Sequence, residues 1–291
     1  FDPFIKDLKP DVVIFDRFVT EEQFGWRVSE QCPKAMRVLD TEDLHFLRAA
    51  RERHSAREKP LKKADLITDV ARRELASIYR CDVSLIISEA EMSILSEKFD
   101  IPDMLIAYLP YLLDTLPENS AELWPGYDDR EGFMTIGNFR HKPNLDAVST
   151  LRRDIWPLIR QQLPGAEMHI YGAYPPQQVR EWHSQPDRFL VHGRAESADA
   201  VFKQARICLA PIQFGAGLKG KLIEAMLNGT PSITTSVGAE GIAGTYDWPG
   251  AICDDPQEFA DAAVSLYRDK PRWEDAGMKG MSIINDRFCR E

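Results

Sequence analysis

Cysteine is scarce in this sequence, and the few cysteines form no pattern. The five are far apart, their number is odd, and no C-x-x-C occurs; they are Cys32, Cys81, Cys208, Cys253 and Cys289. Zinc sites and disulfide frameworks need cysteines at short, regular spacings. The spacing therefore predicts neither kind of site, and it favours a reducing compartment.

Long apolar runs are also absent. No stretch approaches the roughly 20 apolar residues that cross a bilayer, and nothing at the start of the chain has the composition of a signal peptide. We therefore expect a cytoplasmic protein. The chain lacks an initial Met, and a strand follows its first short helical segment at once. We expect from this that the N-terminal domain is incomplete.

A basic excess is missing as well. The chain has 36 Lys and Arg against 46 Asp and Glu, a net charge of -10, whereas nucleic-acid binders usually present a basic stripe. We therefore expect no nucleic acid as a partner. One basic cluster is interleaved with Glu52 and Glu58; it consists of Arg48, Arg51, Arg53, Arg57, Lys59, Lys62 and Lys63. It is typical of a solvated helix face, and the alternative is a patch for an anionic acceptor or for lipid headgroups, a possible peripheral membrane contact.

Alternating strands and helices are what the sequence contains in abundance. Its 291 residues, 44% of them hydrophobic, suffice for two domains. Apolar strands end at Asp16, Asp40 and Ser88 in the first half, and glycines close several strands of the second. Between the strands we predict, among others, helical regions over roughly 43–80, over 89–99, and over 146–163 with an interruption near Pro157. This alternation predicts two α/β domains with parallel sheets. We place an N-terminal domain at 1–122 and a C-terminal domain at 123–291, joined through a Pro-rich and acidic segment.

The segment GAGLKGKL, Gly215 to Leu222, satisfies the G-x-x-x-x-G-K spacing of a phosphate loop. The residue that should carry the magnesium-binding hydroxyl is Leu222, so a nucleotide-hydrolysing loop is not predicted. Glycines and a helix N-terminus can still hold a diphosphate without a metal, with charge from Lys219 and Lys221. The alternative is a tight turn carrying two solvated lysines.

Glu224 lies three residues after Lys221 in a helix that is apolar nearly all round. The two residues share a helix face, so a surface ion pair is one interpretation. A buried carboxylate is costly unless it is hydrogen-bonded. Sugar hydroxyls at the helix end would satisfy it, since a carboxylate accepts two such bonds at once.

The order of these motifs resembles that of retaining GT-B glycosyltransferases of the group 1 type, family 4. The stretch Pro211 to Gly241, PIQFGAGLKGKLIEAMLNGTPSITTSVGAEG, resembles their donor-binding segment, and IGNFRHKPN, 136–144, is similar to the loop after the first strand of that domain. The resemblance is strong over about 130 to 285 and covers the first 120 residues only in general layout.

The resemblance implies a role for each motif. Glu224 would grip the ribose of a UDP- or GDP-sugar, and Lys219 or Lys221 would meet the diphosphate together with Arg140 or Lys142. The base would contact the backbone at His192 and Gly193, and the loop with Gly215 and Gly217 would line the donor sugar. Gly137, which closes the first strand of the second domain, is a further donor-binding candidate. By the same resemblance, 1–122 is the acceptor-side domain and 123–291 the donor-binding domain. The implied reaction transfers the sugar to the hydroxyl of a carbohydrate, lipid-linked or protein acceptor, with retention and without a metal or other cofactor.

The sequence departs from the family at several places. The first glutamate of the E-x7-E motif is replaced by Ala216, and the usual His-Asp pair after the second strand is replaced by Glu42 and Asp43, with His45 nearby. Asp40, Glu42 and Asp43 are our candidate catalytic carboxylates, although a helix start would also use acidic residues here. His141 and Glu240 are weaker candidates.

Two other functions stay open. The departures motivate a non-catalytic nucleotide-binding or scaffolding subunit with the same fold. A different GT-B-like enzyme, such as a nucleotide-sugar epimerase, is the second alternative. A Rossmann oxidoreductase would need G-x-G-x-x-G after a first strand, with an acidic residue ~20 positions on, and this sequence has no such motif.

Overall fold

A computed structural model describes residues 1–54, 61–117 and 119–290. The chain divides into two compact units, the first made of Phe1–Tyr111 with Gly215–Leu218 and the second of Leu112–Phe214 with Lys219–Glu291. The segment that carries Gly215 and Gly217 therefore belongs with the first unit, although the chain on both sides of it belongs to the second.

The first unit is a four-stranded parallel sheet in the order β1-β2-β3-β4. Its strands are β1 (Val12–Asp16), β2 (Met36–Asp40), β3 (Val83–Ile86) and β4 (Ile106–Tyr108), and its helices are α1 (Asp2–Leu8), α2 (Arg17–Gln31), α3 (His45–His54), α4 (Lys63–Leu66), α5 (Asp69–Arg80) and α6 (Glu89–Phe99). Helix 89–99 confirms the sequence prediction. The single helical region expected over 43–80 is wrong, because Thr68 accepts a hydrogen bond from the Ala71 N–H and starts α5 as a separate helix.

The second unit is a six-stranded parallel sheet in the order β10-β9-β8-β5-β6-β7. Its strands are β5 (Glu131–Ile136), β6 (Met168–Tyr171), β7 (Phe189–Gly193), β8 (Ala205–Ala210), β9 (Ser232–Thr234) and β10 (Gly250–Ile252). Its helices are α7 (Ser120–Leu123), α8 (Lys142–Thr150), α9 (Trp156–Gln162), α10 (Gln177–Glu181), α11 (Ala198–Gln204), α12 (Gly220–Leu227), α13 (Ser236–Ala239), α14 (Pro256–Arg268) and α15 (Lys270–Arg287).

Both faces of the central strands in the second sheet are buried. Phe133 on β5 packs in the core formed with α9 and α14, whereas its neighbour Met134 packs with Phe202 and Ala225 on the opposite face. This alternation, with helices on both faces, is that of an α/β domain. The predicted α/β class with two parallel sheets is therefore confirmed.

The helical region predicted from Asp146 with a break near Pro157 is confirmed as interrupted. It begins four residues earlier than expected, at Lys142, and the break is a π-helical stretch over Leu151–Ile155 that separates α8 from α9. Among the described residues, no helix has the length and apolar character that crossing a membrane requires.

Candidate functional site

The loop after β5 starts the site in the second unit. A Cβ atom on Gly137 would lie 2.5 Å from Cγ of Asn144, so only glycine fits beside that amide. Asn138 Oδ1 accepts a hydrogen bond of 2.9 Å from the Arg140 backbone N–H, and α8 begins two residues later at Lys142. The loop is therefore a fixed turn that leads into a helix N-terminus at the carboxyl edge of the sheet.

Arg140 lies over an aromatic ring that follows the neighbouring strand. Its guanidinium carbon is 3.7 Å from the centre of the Tyr174 ring. His141 and Lys142 are exposed at the start of α8. The cations predicted on this loop thus lie at the edge where α/β sheets bind ligands.

The segment 219–221 brings two lysines to the start of α12. Lys219 is buried and directly precedes the helix. Lys221 Nζ donates a 2.8 Å hydrogen bond to Asn144 Oδ1, and Asn144 Nδ2 donates to the Asn138 carbonyl at 3.0 Å. Asn144 therefore joins the start of α12 to the loop before α8, a role that the sequence did not reveal.

Lys221 is surrounded by groups that compensate its charge poorly. Burial lowers its pKa to about 8, while Cys208 and Glu224 oppose this shift only in part. The Cys208 thiol is itself neutral, because burial raises its pKa to about 12. The lysine is thus held in a setting that favours the uncharged amine more than water does.

Glu224 is half-buried, and within the described parts of the chain no side chain pairs with its carboxylate. The ion pair with Lys221 that the helix spacing allowed is not formed, because the lysine donates to Asn144 instead. Burial raises the pKa of Glu224, and nearby Asp199 raises it further. The carboxylate is available to accept hydrogen bonds from a ligand.

The end of β7 presents an accessible backbone. Gly193 has a φ of +80°, and a Cβ placed there would meet no atom within 4 Å. The exposed His192 ring stacks on Tyr171 at 4.7 Å between ring centres, and its Nε2 is 3.0 Å from Nδ1 of His169. Burial lowers the pKa of both histidines, so both rings favour the neutral form. The sequence predicted the backbone contact but not this stack.

In the first unit, the segment Gly215–Leu218 is held by two side chains. Glu91 Oε1 accepts hydrogen bonds from the Gly217 N–H at 2.8 Å and from the Leu44 N–H at 3.0 Å. Arg51 Nη1 donates to the Gly215 carbonyl at 2.9 Å. The fully buried Glu91 thereby ties this segment to the loop that follows β2.

The three candidate catalytic carboxylates have different surroundings. Asp40 accepts a hydrogen bond from the Glu42 N–H, and Asp43 contacts Arg48 at 2.5 Å and His45 Nε2 at 3.4 Å. Glu42 is exposed, and in the described residues its side chain has no partner. Partial loss of solvation at the carboxylate, together with the nearby Asp40 and Asp16, raises the pKa of Glu42. Of the three, Glu42 is therefore the carboxylate most open to a ligand.

Glu74 was not identified from the sequence. It is buried, and its two oxygens accept hydrogen bonds from the His45 and Phe46 N–H groups at the start of α3. The basic cluster of the sequence lies partly on α3 and α4, where Arg53 and Lys63 fall in the last helical turns. Arg57 and Lys59 lie outside the described residues.

Comparison with known proteins gives a family for part of the chain. Residues 130–269 match a family described as "Glycosyl transferases group 1", slightly less than half of the sequence. No curated protein matches the chain.

Solved structures with the same fold are distant in sequence. Crystal structures of S. aureus TarM with UDP and of the pneumococcal O-GlcNAc transferase GtfA with UDP and GlcNAc superpose with TM-scores of 0.73 and 0.71, at 12% and 19% identity. Each match covers 99% of this chain but only 55% or 56% of the other.

Sucrose-phosphate synthase from Thermosynechococcus elongatus superposes with a TM-score of 0.71 at 18% identity, over 99% of this chain and 72% of that one. This chain thus spans about half the length of the first two structures. The comparisons show the GT-B fold for the chain, and within it residues 130–269 are similar to the group 1 glycosyltransferase family.

Proposed function

We propose that this chain is the core of a retaining glycosyltransferase that uses a nucleotide-diphosphate sugar and needs no metal. One observation carries the proposal. The half-buried, unpaired carboxylate of Glu224 lies on the helix whose N-terminus carries Lys219 and Lys221, within the matched residues 130–269. This arrangement suits a ribose and a diphosphate joined in one ligand.

Each group has a physical part in the proposed reaction. Glu224 accepts hydrogen bonds from the two ribose hydroxyls. The helix N-termini and the nearby cations Arg140, Lys219 and Lys221 stabilise the negative charge that grows on the leaving diphosphate. The backbone at Gly193 is open to the edge of the base, because no atom lies where a Cβ would be.

The first unit receives the acceptor in this proposal. Glu42 is the carboxylate best placed to contact an incoming hydroxyl, since Asp43 is already engaged by Arg48 and His45. The loop with Gly215 and Gly217 lines the donor sugar. Two of the distant structures named above, those of TarM and GtfA, were solved with UDP, so UDP-sugars are the donors to test before GDP-sugars.

Thermal unfolding with nucleotides tests the donor site. UDP, GDP, ADP, UMP and NAD are each added with magnesium or with EDTA. A ligand at a hundred times its Kd adds about 2.7 kcal/mol to the free energy of unfolding, a shift of several degrees in a chain of this size. We expect one nucleoside diphosphate to stabilise the protein in both conditions.

Glu224→Gln is the decisive variant. It keeps the shape of the side chain but removes the charge that strengthens both hydrogen bonds, so we expect nucleotide affinity to fall about ten- to a hundredfold. The matched control is Glu196→Gln, an exposed glutamate of the same unit, which should bind like the wild type. Equal binding by Glu224→Gln and wild type would exclude the ribose role.

Transfer and stereochemistry need a second assay. The protein is incubated with the sugar nucleotide of the matching base, and the anomeric proton of the released or transferred sugar is followed by NMR. The same anomer in donor and first product supports retention, and inversion would refute it. Binding of a nucleotide without any turnover would favour the non-catalytic subunit.

A further inference from the structure

A short chain of polar groups joins the two helix starts in the second unit. It runs from the Asn138 carbonyl to Asn144 Nδ2, and from Asn144 Oδ1 to Lys221 Nζ. The space for the Asn144 amide exists because residue 137 is glycine. The amide is thereby fixed at both ends, with its oxygen directed at the lysine.

Lys221 has no carboxylate partner within ion-pair distance among the described residues. The charged or titratable groups that face it are Cys208 on β8 and Glu224 on its own helix, while Asn144 from α8 is neutral. Cys208 is fully buried and carries no charge at neutral pH. The amine is therefore held in position without a negatively charged partner at ion-pair distance.

We propose that Asn144 is a positioning residue that holds the Lys221 amine, without adding a charge, where it can bind the donor diphosphate. We further propose that donor binding takes up a proton at Lys221. This inference rests on the proposed function and deepens it. A diphosphate at the starts of α8 and α12 brings the negative charge that the lysine lacks in the unliganded protein. Above about pH 8, where the amine is mostly unprotonated, a proton then moves from water or buffer onto Nζ, and no other bond changes.

The neutrality of Asn144 is the essential property. An aspartate at this position would pair with the lysine permanently, keep it protonated and repel the diphosphate. Asparagine supplies the same geometry without the charge. The protonation of the Lys221 amine is consequently controlled by the negative charge of the ligand, because Asn144 contributes no charge.

The pH dependence follows from the burial of Lys221, which lowers its pKa to about 8. Below that pH the amine is already protonated and binding takes up little. Above it, binding must supply the proton, so the Kd for a nucleoside diphosphate should rise about tenfold per pH unit. Burial also raises the pKa of Glu224, and nearby Asp199 raises it further.

The first experiment measures Lys221 without any nucleotide. Acetylation of lysines in the intact protein is followed by mass spectrometry as a function of pH. We expect the midpoint for Lys221 near 8, below that of a lysine in a short unfolded peptide acetylated alongside as the control. The variant Asn144→Asp should move the Lys221 midpoint upward by at least about one pH unit. An unperturbed Lys221 in the wild type would overturn the proposal.

The second experiment measures proton uptake by calorimetric titration of the wild type with UDP, in two buffers of different ionisation enthalpy at about pH 9. We expect uptake of most of one proton, almost none in Asn144→Asp or Lys221→Met, and weaker binding in both variants. UDP binding by the wild type without uptake would overturn this inference and leave the proposed function intact. Absence of binding by UDP and by GDP would refute the proposed function and this inference with it.

Discussion

Gly217 occupies a backbone conformation and a space that other residues do not tolerate. Its φ is +63°, and a Cβ there would lie 3.0 Å from Cβ of Asp43 and 3.4 Å from the Glu42 carbonyl oxygen. The Glu42 carbonyl oxygen belongs to the backbone, so it cannot relieve this contact by a change of rotamer. The glycine therefore lets its segment approach the candidate carboxylate loop of the first unit.

Gly217→Ala should disturb this approach. The left-handed conformation alone costs an alanine about 1–2 kcal/mol, and the contact with Asp43 adds to it. We expect a lower free energy of unfolding in urea and a loss of sugar transfer. Gly165→Ala is the matched control, because no atom lies within 4 Å of a Cβ at Gly165. Equal stability of the two variants would contradict the steric argument.

At the scale of residues, the sequence predicted types of group better than their partners. The Lys and Glu of α12 were identified, but the ion pair that their spacing allowed is not formed, and Lys221 bonds to Asn144 instead. Asn144 and Glu91 went unrecognised because their hydrogen bonds join segments 77 and 126 residues apart. A local sequence pattern carries no information about contacts between residues so far apart in the chain.

At the scale of elements, helix α3 begins against a buried carboxylate. Glu74 accepts from the His45 and Phe46 N–H groups, and burial raises its pKa to about 8. An unfolded glutamate titrates near 4.5. The folded protein thus binds the proton more tightly, so stability from this group is present below about pH 4.5 and is lost as the pH rises towards 8.

Glu74→Gln removes this titration. The wild type should become less stable relative to Glu74→Gln as the pH is raised from about 5 to 8. Urea unfolding at several pH values measures this difference, and the subtraction cancels groups that titrate equally in both proteins. A difference that stays constant with pH would show that Glu74 titrates normally in the folded state.

Helix α15 is an element that was not predicted from the sequence. Gly277 and Gly280 lie in its interior and lower the intrinsic preference for a helix. In the structure a Cβ at Gly280 would lie 3.3 Å from the Met226 side chain, and one at Gly277 would lie 3.5 Å from the Gly229 carbonyl. Gly280 thus permits close packing against α12, a tertiary reason that a local pattern cannot supply, whereas a Cβ at Gly277 would make only an ordinary van der Waals contact.

At the scale of the whole molecule, the α/β class with two parallel sheets was the most predictable feature. Apolar runs that end in polar or glycine residues, separated by helical segments, allow little besides two parallel α/β sheets. The discontinuity of the first unit was not predictable. It depends on Glu91 and Arg51 reaching a segment that follows β8 by only a few residues.

Hydrogen exchange should detect this discontinuity. The Gly217 N–H is bonded to Glu91, so its protection should follow the stability of the first unit. Leu39→Ala removes a buried core side chain of that unit and should accelerate exchange at Gly217. Ile170→Ala, a matched core truncation in the second unit, should not. The opposite pattern would show that the segment is stabilised from the second unit.

Synthesis on the ribosome gives the discontinuous first unit a further consequence. About 100 residues of the second unit emerge between Tyr111 and Gly215. A nascent first unit can build its sheet early, but Glu91 and Arg51 lack their loop partners until that whole stretch has been translated. The first unit can therefore complete its hydrogen bonds only after the intervening part of the second unit has been translated. A chain stopped before Gly215 would lack the segment that completes the first unit.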